Sequence, residues 1–224
     1  MPLDISYFCE KFKQNQMNKI KYAFLIVVIA ACGNNKPVEV TKTPQEQAVA
    51  LRDSAVKMAA QNKNEGDIQR SLALLDEAMA LDPENKAIYT AKMNIYSKSG
   101  DYESLSKVLE DLDGSKVKDP YYTLQLGMEY ELQGNRDAAN TKYSEAVDAF
   151  LSIVDTMQVD NRLRRNTFLM NAALASTLSE SDSDRAKLDA IMSDAERENL
   201  SSAIEQLDNV PREDLLNQRR KKQS

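Results

Sequence analysis

Three of the chain's six glycines, Gly66, Gly100 and Gly134, follow one another at intervals of 34 residues. Glycine and proline are both scarce, six of each, so their positions carry information. Asp67, Asp101 and Asn135 come directly after these glycines, so a helix-stop signal adjoins a residue able to cap the next helix. Thr43-Pro44, Asp82-Pro83 and Asp119-Pro120 mark the same units independently. Each sets a capping side chain ahead of a proline at the first helical position, where a missing N–H costs nothing. Thr43 and Glu46 also make a capping box. The intervening residues are rich in Ala, Leu, Met, Glu, Gln and Lys, the stronger helix formers. These signals predict helices over 44–63, 67–81, 83–98, 101–112, 120–132 and 135–157. Apolar faces such as Leu72/Leu75/Met79 and Tyr143/Val147/Phe150/Val154 recur at helical spacing. Further helices are predicted over 161–178 (with Leu163, Met170, Leu174 and Leu178), 184–192 and 194–208, the last opened by the box Ser193…Glu196.

Leu126-Gly127, Tyr130, Gly134, Ala139, Tyr143 and Ala146 resemble the tetratricopeptide repeat, whose period is about 34 residues. Tyr96, Gly100 and Tyr102 match a second copy, and Gly66, Ala78 and Pro83 a first. No copy carries the family's Trp, and Leu105 and Leu109 replace its small and aromatic residues in the middle repeat. The resemblance covers residues 44–151. It implies an all-α solenoid: about three helix pairs over 44–157, then a degenerate C-terminal helical cap over 158–210. Residues 211–224, with Arg219-Arg220-Lys221-Lys222, read as a solvated basic tail after Pro211 ends the last helix. The family reserves small residues for the closest helix contact, which places Gly127 against Ala139. It binds proteins or peptides along the face lined by the first helix of each pair. Asn94, Lys98, Tyr121, Gln125 and Met128 match that face. The subclass that clamps a terminal carboxylate needs Lys, Arg and Asn where this chain has Val56, Ala60, Ala91, Tyr121 and Gln125. That ligand is therefore not expected.

A separate signal precedes the repeats. Lys19 and Lys21, the apolar run Ala23–Ala31 and then Cys32 resemble a bacterial lipoprotein signal with Ile29-Ala30-Ala31-Cys32 as its lipobox. Nine apolar residues fall well short of the roughly 20 a membrane-spanning helix needs. The resemblance implies cleavage between Ala31 and Cys32 and acylation of Cys32. Residues 17–31 are then a signal peptide starting at Met17, 32–43 a flexible tether, and 1–16, with Asp4 and Glu10, an upstream extension. Gly33 is not the Asp that retains such lipoproteins at the inner membrane, which points to the outer membrane of a diderm bacterium.

The chain carries a formal charge of −6, and removal of residues 1–31, which hold four Lys and two acids, leaves −8. Such a chain lacks the basic excess that displaces counterions from nucleic acid. With no His it offers no Ser-His pair and no imidazole ligation, and if Cys9 is not translated and Cys32 is acylated, no thiol remains for a disulfide or a cysteine metal site. Glu180, Asp182 and Asp184 suggest a calcium loop, but Lys187 and Ser193 occupy its glycine and closing-glutamate positions. Neither a catalytic residue nor a cofactor is implied. Arg162, Arg164 and Arg165 read as a solvated face or as a patch for an acidic partner. The expected function is a membrane-anchored, non-catalytic adaptor for envelope assembly or secretion. The alternative is a surface lipoprotein capturing a nutrient or glycan, which the absence of Trp disfavours.

In cells fed an alkyne fatty acid, the chain is expected to take up label and Cys32→Ala to take up none. Durable anchoring requires two or more acyl chains. Undiminished labelling of the variant would refute the lipobox.

Overall fold

The repeat glycines show why the period exists. At Gly100 and Gly134 the backbone is left-handed, with φ of 75° and 84°, a conformation that glycine adopts without Cβ strain. The bonds around them superimpose at the same interval. Asp101 N–H donates to the Tyr96 carbonyl at 3.0 Å, and Asn135 N–H to the Tyr130 carbonyl at 2.8 Å. The next side chain caps the following helix, Asp101 accepting from Ser104 N–H and Asn135 from Ala138 N–H. One helix is closed and the next opened within two residues, which turns the chain back antiparallel.

The computed structural model describes residues 42–61, 64–158 and 161–221. Ala31, Cys32, the segments 1–16 and 17–31 and nearly all of the tether lie outside the described residues. The described chain is an all-α solenoid without a strand among these residues. Its helices are α1 Pro44–Gln61, α2 Glu65–Leu81, α3 Lys86–Ser99, α4 Tyr102–Asp113, α5 Pro120–Leu132 and α6 Arg136–Thr156. They continue as α7 Arg162–Ser179, α8 Asp182–Ile191, α9 Asp194–Asp208 and α10 Arg212–Lys221. The Thr43–Glu46 box is formed, with Thr43 N–H donating to Glu46 Oε2 at 2.9 Å and Glu46 N–H donating to Thr43 Oγ1 at 3.2 Å. Asp119 caps α5 ahead of Pro120.

Three local expectations are corrected. Gly66 is not a helix stop. It lies in the first turn of α2, which Asn64 caps through Asp67 N–H at 2.9 Å, so Asp67 is inside the helix. Pro83 does not open α3, because Asp82 through Asn85 fold into a turn in which Asn85 Nδ2 donates to Asp82 Oδ2. Asn85 then caps α3 at Lys86. The basic tail expected over 211–224 is helical from Arg212 to Lys221, because Pro211 precedes a helix rather than merely ending one. Lys222 to Ser224 lie outside the described residues.

The apolar faces bury three linked clusters. Leu72, Leu75 and Ile88 centre the first, Leu105, Leu109 and Leu126 the second, and Tyr143, Phe150 and Leu169 the third. Met79 and Tyr96 pack on both the first and second clusters, and Tyr130 on both the second and third. Coupling therefore runs from neighbour to neighbour, as in a one-dimensional array. The cap is not peripheral to this scheme, because α7 to α10 contribute to the third cluster. Its buried face also differs from the expected one. Leu163 is 58% exposed, whereas Leu178 is fully buried as expected, Met170 and Leu174 pack at the margin, and Phe168, Leu169, Ala172, Ala173 and Ala175 complete the packing. These alanines escape a search for large apolar residues, yet they let α7 approach α6 closely.

At the expected seam between Gly127 and Ala139 there is no room for a side chain on the glycine. A Cβ added to Gly127 would stand 2.7 Å from the ring of Tyr143 and 3.3 Å from the Ala139 carbonyl oxygen. Tyr143 and Ala139 are fully buried. Neither the ring nor the backbone can retreat cheaply in a close-packed interior.

Gly127→Ala should lower stability by about 1–2 kcal/mol despite alanine's better helix propensity. Gly66→Ala, whose new Cβ would meet only Asn64 Oδ1 at 3.4 Å, should be neutral or slightly stabilising. Thermal melts of both variants check this, and equal midpoints would remove the seam from the account.

Candidate functional site

The first helices α3 and α5 are joined at their starts. Lys86 Nζ sits 2.9 Å from Asp119 Oδ2, and the Thr90 and Tyr122 hydroxyls are 2.9 Å apart. Lys86, Thr90, Asn94 and Lys98 recur every four residues and so share one side of α3. Two of them touch α5, and the expected site residues Asn94 and Lys98 carry the stripe onward, both exposed. On α5, Tyr121 and Gln125 are half-buried. Tyr89 on α3 is buried and donates its hydroxyl to the Pro83 carbonyl at 2.8 Å.

Tyr121 belongs to an aromatic group. Its ring meets Phe150 edge-on at 5.0 Å and lies 6.0 Å from Phe168. The Arg164 guanidinium stands 5.8 Å over the Phe168 ring. Burial pushes the Tyr121 hydroxyl's pKa up, and Arg164 partly offsets that. Exposed Arg162, Leu163 and Arg164 open α7, which has no acid in its first turn and no side-chain bond from its cap residue Asn161. A helix start favours negative charge, so this end of α7 is strongly electropositive.

Arg165 corrects the expected three-arginine patch. It is 7% exposed, donates from Nε to Glu196 Oε1 at 2.8 Å, and from Nη1 to the Val154 carbonyl at 2.6 Å. It thereby ties the end of α6 and the start of α9 to α7. Glu196 also accepts from Ser193 N–H at 3.0 Å, which completes the capping box. The Arg165 hydrogen bond, against the opposing effect of burial, lowers the Glu196 pKa from 4.5 to about 2.

Met128 corrects a second expectation, being 8% exposed. It lies at the position of Asn94 in the next repeat, but α10 covers it. Ser97, Leu105, Gln125, Met128, Leu132 and Leu216 line one narrow cavity between α3, α4, α5 and α10. Leu215 and Leu216 are buried in the third cluster. Arg212 anchors the start of α10, with Nη2 donating to Glu131 Oε2 at 2.8 Å and to the Leu178 carbonyl at 2.6 Å. Its Nη1 donates to Glu180 Oε1 at 3.0 Å, and the Tyr143 hydroxyl donates to Glu131 at 2.7 Å. Burial alone would raise the Glu131 pKa, but the bonds from Arg212 and Tyr143 outweigh it and hold the carboxyl below its usual range. The run Arg212-Glu213-Asp214 near the C-terminus does not announce such a latch, so the sequence reading missed it.

Asp184 follows the same logic as Glu131, its burial outweighed by hydrogen bonds from Ser144, Ser179 and Lys187. These carboxylates are held more firmly ionised, whereas a general acid at neutral pH needs a raised pKa. Among the described residues no group of His, Cys, Asp or Glu could hold a metal ion. None of the described helices is long and apolar enough to cross a membrane. The family model described as Tetratricopeptide repeat matches residues 64–125, from the cap of α2 into the middle of α5. Repeats of this family mediate protein–protein interaction, generally without catalysis. Among curated proteins nothing matches the chain.

Arg165→Met leaves Glu196 without its cation and should cost about 3 kcal/mol near neutral pH. The lowered Glu196 pKa contributes stability that is present above pH 4.5 and lost as pH falls toward about 2. The gap between native chain and variant should therefore narrow across that window. Denaturant melts at several pH values check this, and a constant gap would mean the pair is not what Arg165 provides.

Proposed function

We propose that this chain is a non-catalytic adaptor that docks a protein partner on its first-helix face and is held at a bacterial outer membrane through acylated Cys32. The observation carrying the binding half is the run of accessible groups across consecutive first helices. Exposed Asn94 and Lys98 on α3, half-buried Tyr121 and Gln125 on α5, and exposed Arg164 on α7, whose guanidinium stands over the buried Phe168 ring, combine polar donors, cations and one part-exposed aromatic ring. Arginine and tyrosine give much contact energy for little lost side-chain freedom. The tetratricopeptide match over residues 64–125 supports an interaction role for the repeats. The anchoring half rests on Lys19, Lys21 and the Ala23–Cys32 sequence. An envelope-assembly or secretion role is the form of adaptor that such an anchor suits.

Asn94→Ala combined with Arg164→Ala should shift stability by no more than about 1 kcal/mol, because both side chains are exposed. The pair should abolish crosslinked capture of partner proteins from membranes. Capture that survives both substitutions would move the binding surface elsewhere. Capture dominated by an outer-membrane transporter would favour the nutrient or glycan alternative.

A further inference from the structure

α10 is held by a small apolar contact and an arginine at its start. It joins α9 through Asn209, Val210 and Pro211, and among its described residues Leu215 and Leu216 are the buried apolar ones, where α8 buries Leu188 and α9 buries Leu200. A polar hold at its start is the Arg212 guanidinium, inserted between Glu131, Glu180 and the Leu178 carbonyl. What lies beneath it is not generic core. Met128 and Leu132 occupy the same repeat positions as exposed Asn94 and Lys98, one repeat further along. α10 therefore covers the continuation of the very face proposed to bind partners.

We infer that the α5 surface under α10 is a docking site for an amphipathic helix of a partner protein, and that α10 is its resident internal occupant. This rests on the reading of the first-helix face as the partner surface. The chemistry of the incoming helix follows from the contacts α10 makes. A guanidinium is required where Glu131 and Glu180 converge, because the Arg212 bonds hold the Glu131 carboxylate firmly ionised. Leucines are required three and four residues later, both to join the third cluster and the second to line the seam with Met128 and Leu132. A lysine at the first position would reach one acceptor and lose the planar fork that spans both carboxylates and the carbonyl. The specified ligand is thus an Arg-x-x-Leu-Leu helix. It competes with α10, which has the advantage of being tethered.

The test uses the full chain and a fluorescent peptide of residues 209–224. Leu215→Ser with Leu216→Ser releases α10 without touching the receiving surface. The peptide should bind this variant at least tenfold more tightly than the unsubstituted chain, and a peptide with both leucines replaced by serine should bind neither. Should the double variant melt too low to assay, Arg212→Ala, which keeps both leucines, should show a smaller gain in the same direction. Equal binding to substituted and unsubstituted chains, or none to a folded variant, would overturn the inference. So would a concentration-dependent dimer that the peptide dissolves, since the occupant would then be α10 of a second copy. Peptide binding that succeeds while membrane capture ignores Asn94 and Arg164 would keep this site and discard the proposed adaptor surface.

Discussion

Tyr143 is the side chain on which the third repeat and the C-terminal helix both depend. Its ring lies against the bare Cα of Gly127, and its hydroxyl donates to Glu131, which receives Arg212. One continuous set of contacts thus runs from the seam between α5 and α6 to the latch of α10. Packing fixes the ring, the ring fixes the carboxylate, and the carboxylate fixes the cation. Loosening the seam would therefore be felt at a surface several residues away in every helix involved. Burial makes this network costly to break, and the bonds from Arg212 and Tyr143, acting against that burial, keep its carboxylate ionised rather than available as a proton donor.

The remaining architecture is a series of such local dependencies. Met79, Tyr96 and Tyr130 each face two clusters, so neighbouring repeats share side chains rather than merely abutting. Arg165 does for the cap what these residues do for the repeats, substituting a buried ion pair for apolar overlap. With the second helices committed to packing, the first helices retain the groups available to another molecule. That division is the physical basis for placing recognition on α3, α5 and α7.

Much of this was legible because it is local. The left-handed turns at Gly100 and Gly134, the caps Thr43, Asp101, Asp119, Asn135 and Ser193, and the Gly127–Ala139 seam all follow from short patterns whose geometry repeats. Gly66 misled because the interval was intact while the backbone requirement was not: Asn64 had already opened the helix. Asp82-Pro83 misled because a capping pair also makes a good turn, and Asn85 provided a competing cap. Met128 and Arg165 were misplaced for a different reason. Their burial comes from α10 and α9, elements far along the chain whose docking no local pattern encodes. The same holds for Arg212, whose partner Glu131 is 81 positions away.

The central claim is that α10 is a separately opening cover on a cooperative repeat core. Native-state hydrogen exchange measures this directly, because local and global openings have different free energies and different denaturant dependence. The account predicts that the amides of Leu215 and Leu216 exchange through a small opening with little denaturant dependence, while those of Tyr143 and Val147 exchange only on global unfolding. Identical protection and identical denaturant dependence in α10 and α6 would make α10 an integral part of the core, and the surface beneath it would not be a site.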